Sequence, residues 1–239
     1  MGCAETIPTL WVHGKTHRLI LSRYPTVGVF DHLVQDEQEA RIAFLLEQAT
    51  NPRLSEASDR LARLPPGAVI TAANGQGASL VMAAFLHTTE AGGRFHTGDL
   101  GAWYAARDID TAVAETLYHN ERRLRLSEGG FPNRVQLREL VATLGATLPD
   151  VRGGADQWPD LYHPTDYTAS QAFAHQRRWP IRAKSWDGLI YDSVRRAGGE
   201  NIALFRPAAV PLPVLQARHF QYDWDKAGAV TVTRLDRIG

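Results

Sequence analysis

The chain has 239 residues, 44% of them hydrophobic, enough for a buried core in one large or two small domains and too apolar for a disordered chain. Lys+Arg and Asp+Glu both total 26, so the formal charge is +0 and supplies no general attraction for nucleic acid or an anionic membrane. The single cysteine, Cys3, leaves no internal disulfide framework and no thiolate metal cluster, in keeping with a reducing compartment.

The opening residues MGCAETIPTLW have neither a basic n-region nor an apolar h-region, and Met1-Gly2-Cys3 matches an acylation site only faintly. The longest apolar run, Ala78–Leu86, is too short to span a bilayer. The expectation is a soluble cytoplasmic protein.

The first predicted strand is Thr16–Tyr24, with Leu19 and Leu21 facing one way, Arg18 and Ile20 the other, and Pro25 ending it. A helix is predicted between Phe30 and Ala49, with Asp36 as N-cap, Glu39 as capping-box partner, and Asn51-Pro52 as its stop. Leu54–Leu64 reads as a second short amphipathic helix closed by Pro65-Pro66-Gly67, the strongest punctuation in the chain. Ser79–His87 is apolar throughout and fits either a buried strand or a short helix. A Gly92-Gly93 turn leads to Arg94, and Ala102–Ala106 is a short strand holding Trp103 and Tyr104.

Asp108 or Asp110 caps a helix to about Leu124, on which Ala112, Glu115, Thr116, His119 and Arg122 or Arg123 share a side. Val135–Leu144 alternates as a strand, with Val135, Leu137, Glu139 and Val141 on one face. A polar loop over Pro149–Asp166 precedes a helix at Tyr167–Arg178, capped by Asp166 or Thr168. Trp186–Ser193, Ile202–Phe205, Val214–Tyr222 and Val230–Leu235 read as strands. Helices early and strands late make the class α+β.

Gly92–Glu115 is the stretch best suited to chemistry. Arg94 would ordinarily be a surface arginine after a turn; the glycines favour close approach of a ligand, and guanidinium suits phosphate. Tyr104 is ordinarily a core aromatic, and its ring would also stack on a flat heterocycle. Glu115 is ordinarily a solvated helix acid; buried, it must be paired or functional. Ser193, in YDSVRRAGGEN, has no nucleophile elbow around it. His13 and His17 lack a zinc motif, and Gly75-x-Gly77 is not a dinucleotide fingerprint.

Taken in order, HRLILSRYP, GGRF followed seven residues later by WYAA, TAVAE, YTASQAFA, WDGLIYDSVR and NIALFRP resemble the RES domain family, named for its arginine, glutamate and serine. The likeness runs from about Arg18 to Pro207. Residue by residue, Arg18 resembles the family's first arginine, with Arg23 as rival. Arg94 resembles the second arginine, Tyr104 the strand tyrosine, Glu115 the helix glutamate, Ser193 the serine, and Asn201 a polar position before the last core strand. Phe95-His96 stands where many members have Trp-Asn and is expected to alter the pocket rim.

The resemblance implies an ADP-ribosyltransferase-like fold, a mixed or antiparallel sheet with flanking helices. It implies one RES-type domain over 1–239 with a helical insertion at about 36–78. It also implies a NAD-consuming enzyme, by phosphorolysis or hydrolysis, acting as the toxin of a toxin–antitoxin pair with an Xre-like antitoxin over the active site. NAD would be substrate and inorganic phosphate a co-substrate, with no tightly bound cofactor or metal, no nucleic-acid partner, and oligomers allowed. Transfer of ADP-ribose to a macromolecule, and a non-catalytic nucleotide-binding or interaction module, are the alternatives. In this frame Arg18, Arg94, Tyr104, Ser193 and Asn201 bind NAD, while Glu115, Arg94 and Ser193 serve the reaction. Arg18 is therefore expected beside Arg94 and Glu115.

Overall fold

The computed structural model describes residues 7–24, 36–42, 55–181 and 185–235. Seven strands form one sheet: β1 (Thr9–Leu21), β2 (Trp103–Ala106), β3 (Asn133–Pro149), β4 (Gly188–Asp192), β5 (Glu200–Leu204), β6 (Leu215–Trp224) and β7 (Val230–Leu235). Their order is β4-β5-β2-β1-β3-β6-β7, and every registered strand pair is antiparallel. The helices are α1 (Ser55–Arg63), α2 (Ala78–Leu86), α3 (Ile109–Arg125) and α4 (Thr168–His175), with a further helical stretch at 37–42. The protein is α+β, as the sequence pattern indicated.

Alternation along the strands sorts the core onto two faces. On one face Val12, Trp103, Ala105, Leu140 and Ile202 pack with Leu61 of α1 and Val81 and Phe85 of α2. On the other, Leu19, Ala106, Leu137 and Tyr222 meet Ala112 and Leu124 of α3, and Tyr191, Ala203 and Phe205 meet Phe95 and Ala174 of α4. Leu61 and Leu64 before Pro65-Pro66-Gly67 share a cluster with Ala68, Val69 and Ile70 after it, so that turn redirects the chain within one core.

Strand β1 begins earlier than expected, at Thr9, because Thr9–Leu21 pairs residue for residue with Leu137–Pro149 of β3. Toward β2 it is registered only at His17↔Ala106. The open alternative at Ser79–His87 resolves as helix α2, buried at Val81, Phe85 and Leu86. Asp36 accepts from Glu39 N (2.9 Å), as an N-cap should; the rest of the Phe30–Ala49 helix, Pro25 and Asn51-Pro52 lie outside the described residues. The expected Tyr167–Arg178 helix is shorter, and Asp166 supports its start by accepting from Thr168 N (2.9 Å).

Glu139, on the inward side of β3, has no exposed surface and is held by two residues, His17 and Arg218. His17 Nδ1 lies 2.6 Å from Oε1, Arg218 Nε donates to Oε2 (2.7 Å), and Arg218 Nη2 donates to Oε1 (2.9 Å). Burial pushes this carboxyl up, but the Arg218 and His17 bonds outweigh it and hold it down at about 2. Its ionised form therefore adds stability that is complete above the ordinary value of 4.5 and is lost as pH falls toward 2. Glu139→Gln, which leaves Arg218 uncompensated, is expected to cost about 3 kcal/mol near neutral pH. Denaturant titrations should show the gap from wild type closing as pH drops below about 4.5; a gap unchanged at low pH would contradict this account.

Candidate active site

Helix α3 carries the central acid. Asp108 caps it, Oδ1 accepting from Thr111 N (2.9 Å) and Oδ2 from Thr111 Oγ1 (2.7 Å). Two turns on, Thr116 Oγ1 meets Tyr222 Oη of β6 at 2.9 Å, which sets the helix's rotation over the sheet. Glu115 then points toward β4 and β5. Its Oε1 accepts from Ser193 Oγ (2.7 Å) and from Asn201 Nδ2 (2.7 Å). Among the described residues Oε2 carries no bond, so one oxygen is fixed and the other is left for a ligand.

The structure thus brings Glu115, Ser193 and Asn201 together, and it narrows the role of the serine. Ser193 Oγ donates its only proton to Glu115 and accepts from Arg195 N and Arg196 N, both at 3.1 Å. One donor and two lone pairs are all a hydroxyl has. Ser193 orients the carboxylate and has nothing left for a substrate, in contrast with the expected direct contact.

Arg94 is buried, at 8% exposure. Its Nη1 donates to Leu161 O (2.7 Å) and His163 O (2.9 Å), and its guanidinium lies 4.7 Å from the Tyr167 ring centre. Nε and Nη2 carry no bond among the described residues, so half of the fork is pinned and half is open. Arg195 holds the same loop by donating to Pro164 O, while lying 3.4 Å from the Tyr118 ring centre. The charges of Glu115 and Arg94 act in opposite senses on both His119 and Tyr191.

Tyr104 sits differently from the expectation of a free stacking ring. Its hydroxyl accepts from Phe95 N (2.9 Å) and lies 2.9 Å from His96 Nδ1. Burial pushes the phenol up to about 12 and the imidazole down to about 3, so both are neutral. The buried phenol proton needs an acceptor and takes His96 Nδ1; Nε2 then donates to Thr88 Oγ1 (2.8 Å). Tyr104 is therefore the peg on which the Arg94 turn hangs. Phe95 and His96, expected at the rim, are interior at 1% and 7% exposure because this network and the Tyr191 ring enclose them.

The two glycines serve that turn instead of ligand approach. Gly92 has φ +67, and a Cβ there would stand 2.1 Å from His96 O; one on Gly93 would stand 2.5 Å from His96 Cε1.

Arg18 does not join the Glu115 group. Its neighbour Leu19 packs on the α3 face, so Arg18 projects to the other face, where its guanidinium lies 4.9 Å from the Trp103 ring centre. Nη1 donates to Tyr104 O (2.9 Å), capping a carbonyl where β1 and β2 part. Its hydrogen bond toward the site is made to the Tyr104 backbone. The rival Arg23 is exposed in the turn after β1, 5.7 Å from the Tyr24 ring centre.

Residues that sequence reasoning passed over are Tyr191, Tyr167 and Arg178. Tyr191 stands two positions before Ser193, and in the expected Trp186–Ser193 strand that spacing put both on one face, although β4 itself ends at Asp192. Arg178, which donates to Gly101 O (2.7 Å) and Phe95 O (3.3 Å), left no signal beyond a helix-end arginine.

Gly92→Ala is expected to lower stability by at least about 2 kcal/mol, from left-handed strain plus the clash with a backbone oxygen. Urea denaturation checks this; a variant as stable as wild type would show that the turn relaxes freely.

Comparison with known proteins adds the following. The family model described as RES domain matches residues 69–225, a span that holds Arg94, Tyr104, Glu115, Ser193 and Asn201 and leaves out Arg18 and Arg23. The uncharacterized protein y4oC of Sinorhizobium fredii (strain NBRC 101917 / NGR234) is 26% identical over 218 residues, 90% of this chain and 84% of that protein. The crystal structure of the M. tuberculosis MbcT–MbcA toxin–antitoxin complex aligns over 92% of this chain and 88% of the matched chain, at 14% identity and a TM-score of 0.44. With the family match spanning well over half its length and all of the Glu115 group, the chain belongs to the RES domain family.

Proposed function

We propose that this protein cleaves the nicotinamide–ribose bond of NAD, by phosphorolysis or hydrolysis, and acts as the toxin of a toxin–antitoxin pair. The observation that carries the reading is the carboxylate of Glu115, one oxygen locked by Ser193 and Asn201 and the other open, in a chain whose Arg94 likewise keeps half of its guanidinium fork open.

Nicotinamide leaves as a neutral molecule, so bond breaking needs no general acid, and the sugar passes through an oxocarbenium-like state. A fixed carboxylate oxygen beside the ribose stabilises that developing positive charge. Oε1 is oriented in advance, so little reorganisation is needed when the charge appears. The C1″–N bond breaks with its electron pair going to nicotinamide. A phosphate or water oxygen then bonds C1″, and the proton it sheds goes to solvent. Arg94 Nε and Nη2 offer charge-assisted bonds to the diphosphate or to incoming phosphate. Tyr104 keeps Arg94 in place through its turn, and Asn201 works with Ser193 on Oε1. The toxin role and a protein antitoxin of Xre-like type, bound over the site, rest on the family membership. Among the described residues no helix is long and apolar enough to cross a membrane, which agrees with action on cytoplasmic NAD.

Incubation with NAD, with and without inorganic phosphate, is expected to release nicotinamide together with ADP-ribose 1″-phosphate or ADP-ribose. Label transferred to protein would instead identify an ADP-ribosyltransferase, and no nicotinamide under any condition would overturn the reading. Glu115→Gln should lower release by roughly a hundredfold or more; it keeps an Oε1 acceptor without the charge, so it should stay folded and melt only modestly below the wild type. Expression of the wild-type chain alone should deplete cellular NAD and arrest growth, whereas expression of Glu115→Gln should do neither.

A further inference from the structure

Tyr191 is 6% exposed, the next-to-last residue of β4. Its ring is fixed edge-on against Phe95, with centroids 4.9 Å apart at 76°. Its cross-strand partner is Asn201, the residue that donates to Glu115 Oε1, and it precedes Ser193, just past the end of β4, by two positions. The hydroxyl has no hydrogen-bond partner among the described residues, yet it is not sealed from solvent. A buried ring that ends in an unpaired but reachable hydroxyl is costly unless something arrives to pair with it. A phenylalanine would fill the same space without that cost.

The surroundings indicate what arrives. Burial first, and then the Glu115 carboxylate, push the phenol well above its ordinary range, while Arg94 pulls it back. The group is therefore a protonated donor, set beside Asn201, which holds Glu115, and against Phe95, which follows Arg94. It does not donate to Glu115 itself, whose donors among the described residues are Ser193 and Asn201. A donor so placed suits an acceptor oxygen that bridges the two charged groups. We infer that Tyr191 is a ligand-contacting residue, donating its hydroxyl proton in a hydrogen bond to an oxygen of the ribose–phosphate portion of NAD bound between Glu115 and Arg94. This rests on the NAD reading above.

The test is Tyr191→Phe, which removes one oxygen and keeps the ring. Melting without ligand should be unchanged or higher. NAD affinity, measured by calorimetry in the Glu115→Gln background so that nothing turns over, should weaken by about tenfold, and kcat/KM for nicotinamide release in the otherwise wild-type chain should fall by about as much. Affinity and kcat/KM both within twofold of the parent would overturn the inference and leave the NAD reading standing. A Tyr191→Phe chain that fails to fold would also overturn it, because the hydroxyl would then be structural. A wild-type chain that neither binds nor cleaves NAD would overturn both.

Discussion

The two hydrogen bonds on Glu115 Oε1 are the contact on which the rest of the site depends. They join α3 to the end of β4 and the start of β5, across 78 and 86 residues of sequence. A half-buried carboxylate loses water that must be replaced, and charge-assisted bonds of about 1.5–3 kcal/mol each do so. The serine is itself polarised by two backbone amides, so the chain from amide to hydroxyl to carboxylate strengthens along its length. Because both donors converge on one oxygen, the other is presented to solvent in a fixed direction. The same bonds that settle α3 on the sheet thus prepare the acid for a cationic partner.

On the cationic side, arginines do a job that carboxylates do not share. Arg94 binds the carbonyls of Leu161 and His163, Arg178 those of Phe95 and Gly101, Arg18 that of Tyr104, and Arg60 those of Gly98 and Leu86. Each satisfies a carbonyl that strand or helix pairing leaves over, in a loop, at a helix end or where two strands part. Burial lowers Arg18 and Arg178 to about 10, which leaves both charged at neutral pH. Carbonyls satisfy the geometry of a guanidinium without cancelling its charge, so Arg94, bound to carbonyls alone, keeps its full charge for an anion.

Much of the architecture was legible in the chain. The strand alternation at Leu19 and Leu21, the Asp108 cap, the late run of strands and the helix bearing Glu115 all follow from local pattern, because these residues carry their environment in their spacing. Glu115, Ser193 and Asn201 could be picked out as well, through ordered motifs. Their roles could not. That Ser193 spends its whole bonding capacity on Glu115, or that Tyr104 Oη is committed to Phe95 and His96, depends on which groups meet across many residues of sequence. The glycines of the Arg94 turn show the same limit: a close approach was foreseeable, but its partner, the chain's own His96, was not.

Arg18 marks the boundary most sharply. The alternation that faces Leu19 one way and Arg18 the other was readable from the sequence, but on which of those faces α3 would settle was not. Helix α3 packs over Leu19, so Arg18 ends on the far face against Trp103. By itself the sequence determined the elements, their inward faces and the residue types available for chemistry, because propensity, capping and periodicity act over a few residues. Only the tertiary structure decided which face covers which, and so which acid, hydroxyl and guanidinium share one site, because that choice is made by packing and hydrogen-bond satisfaction between distant segments.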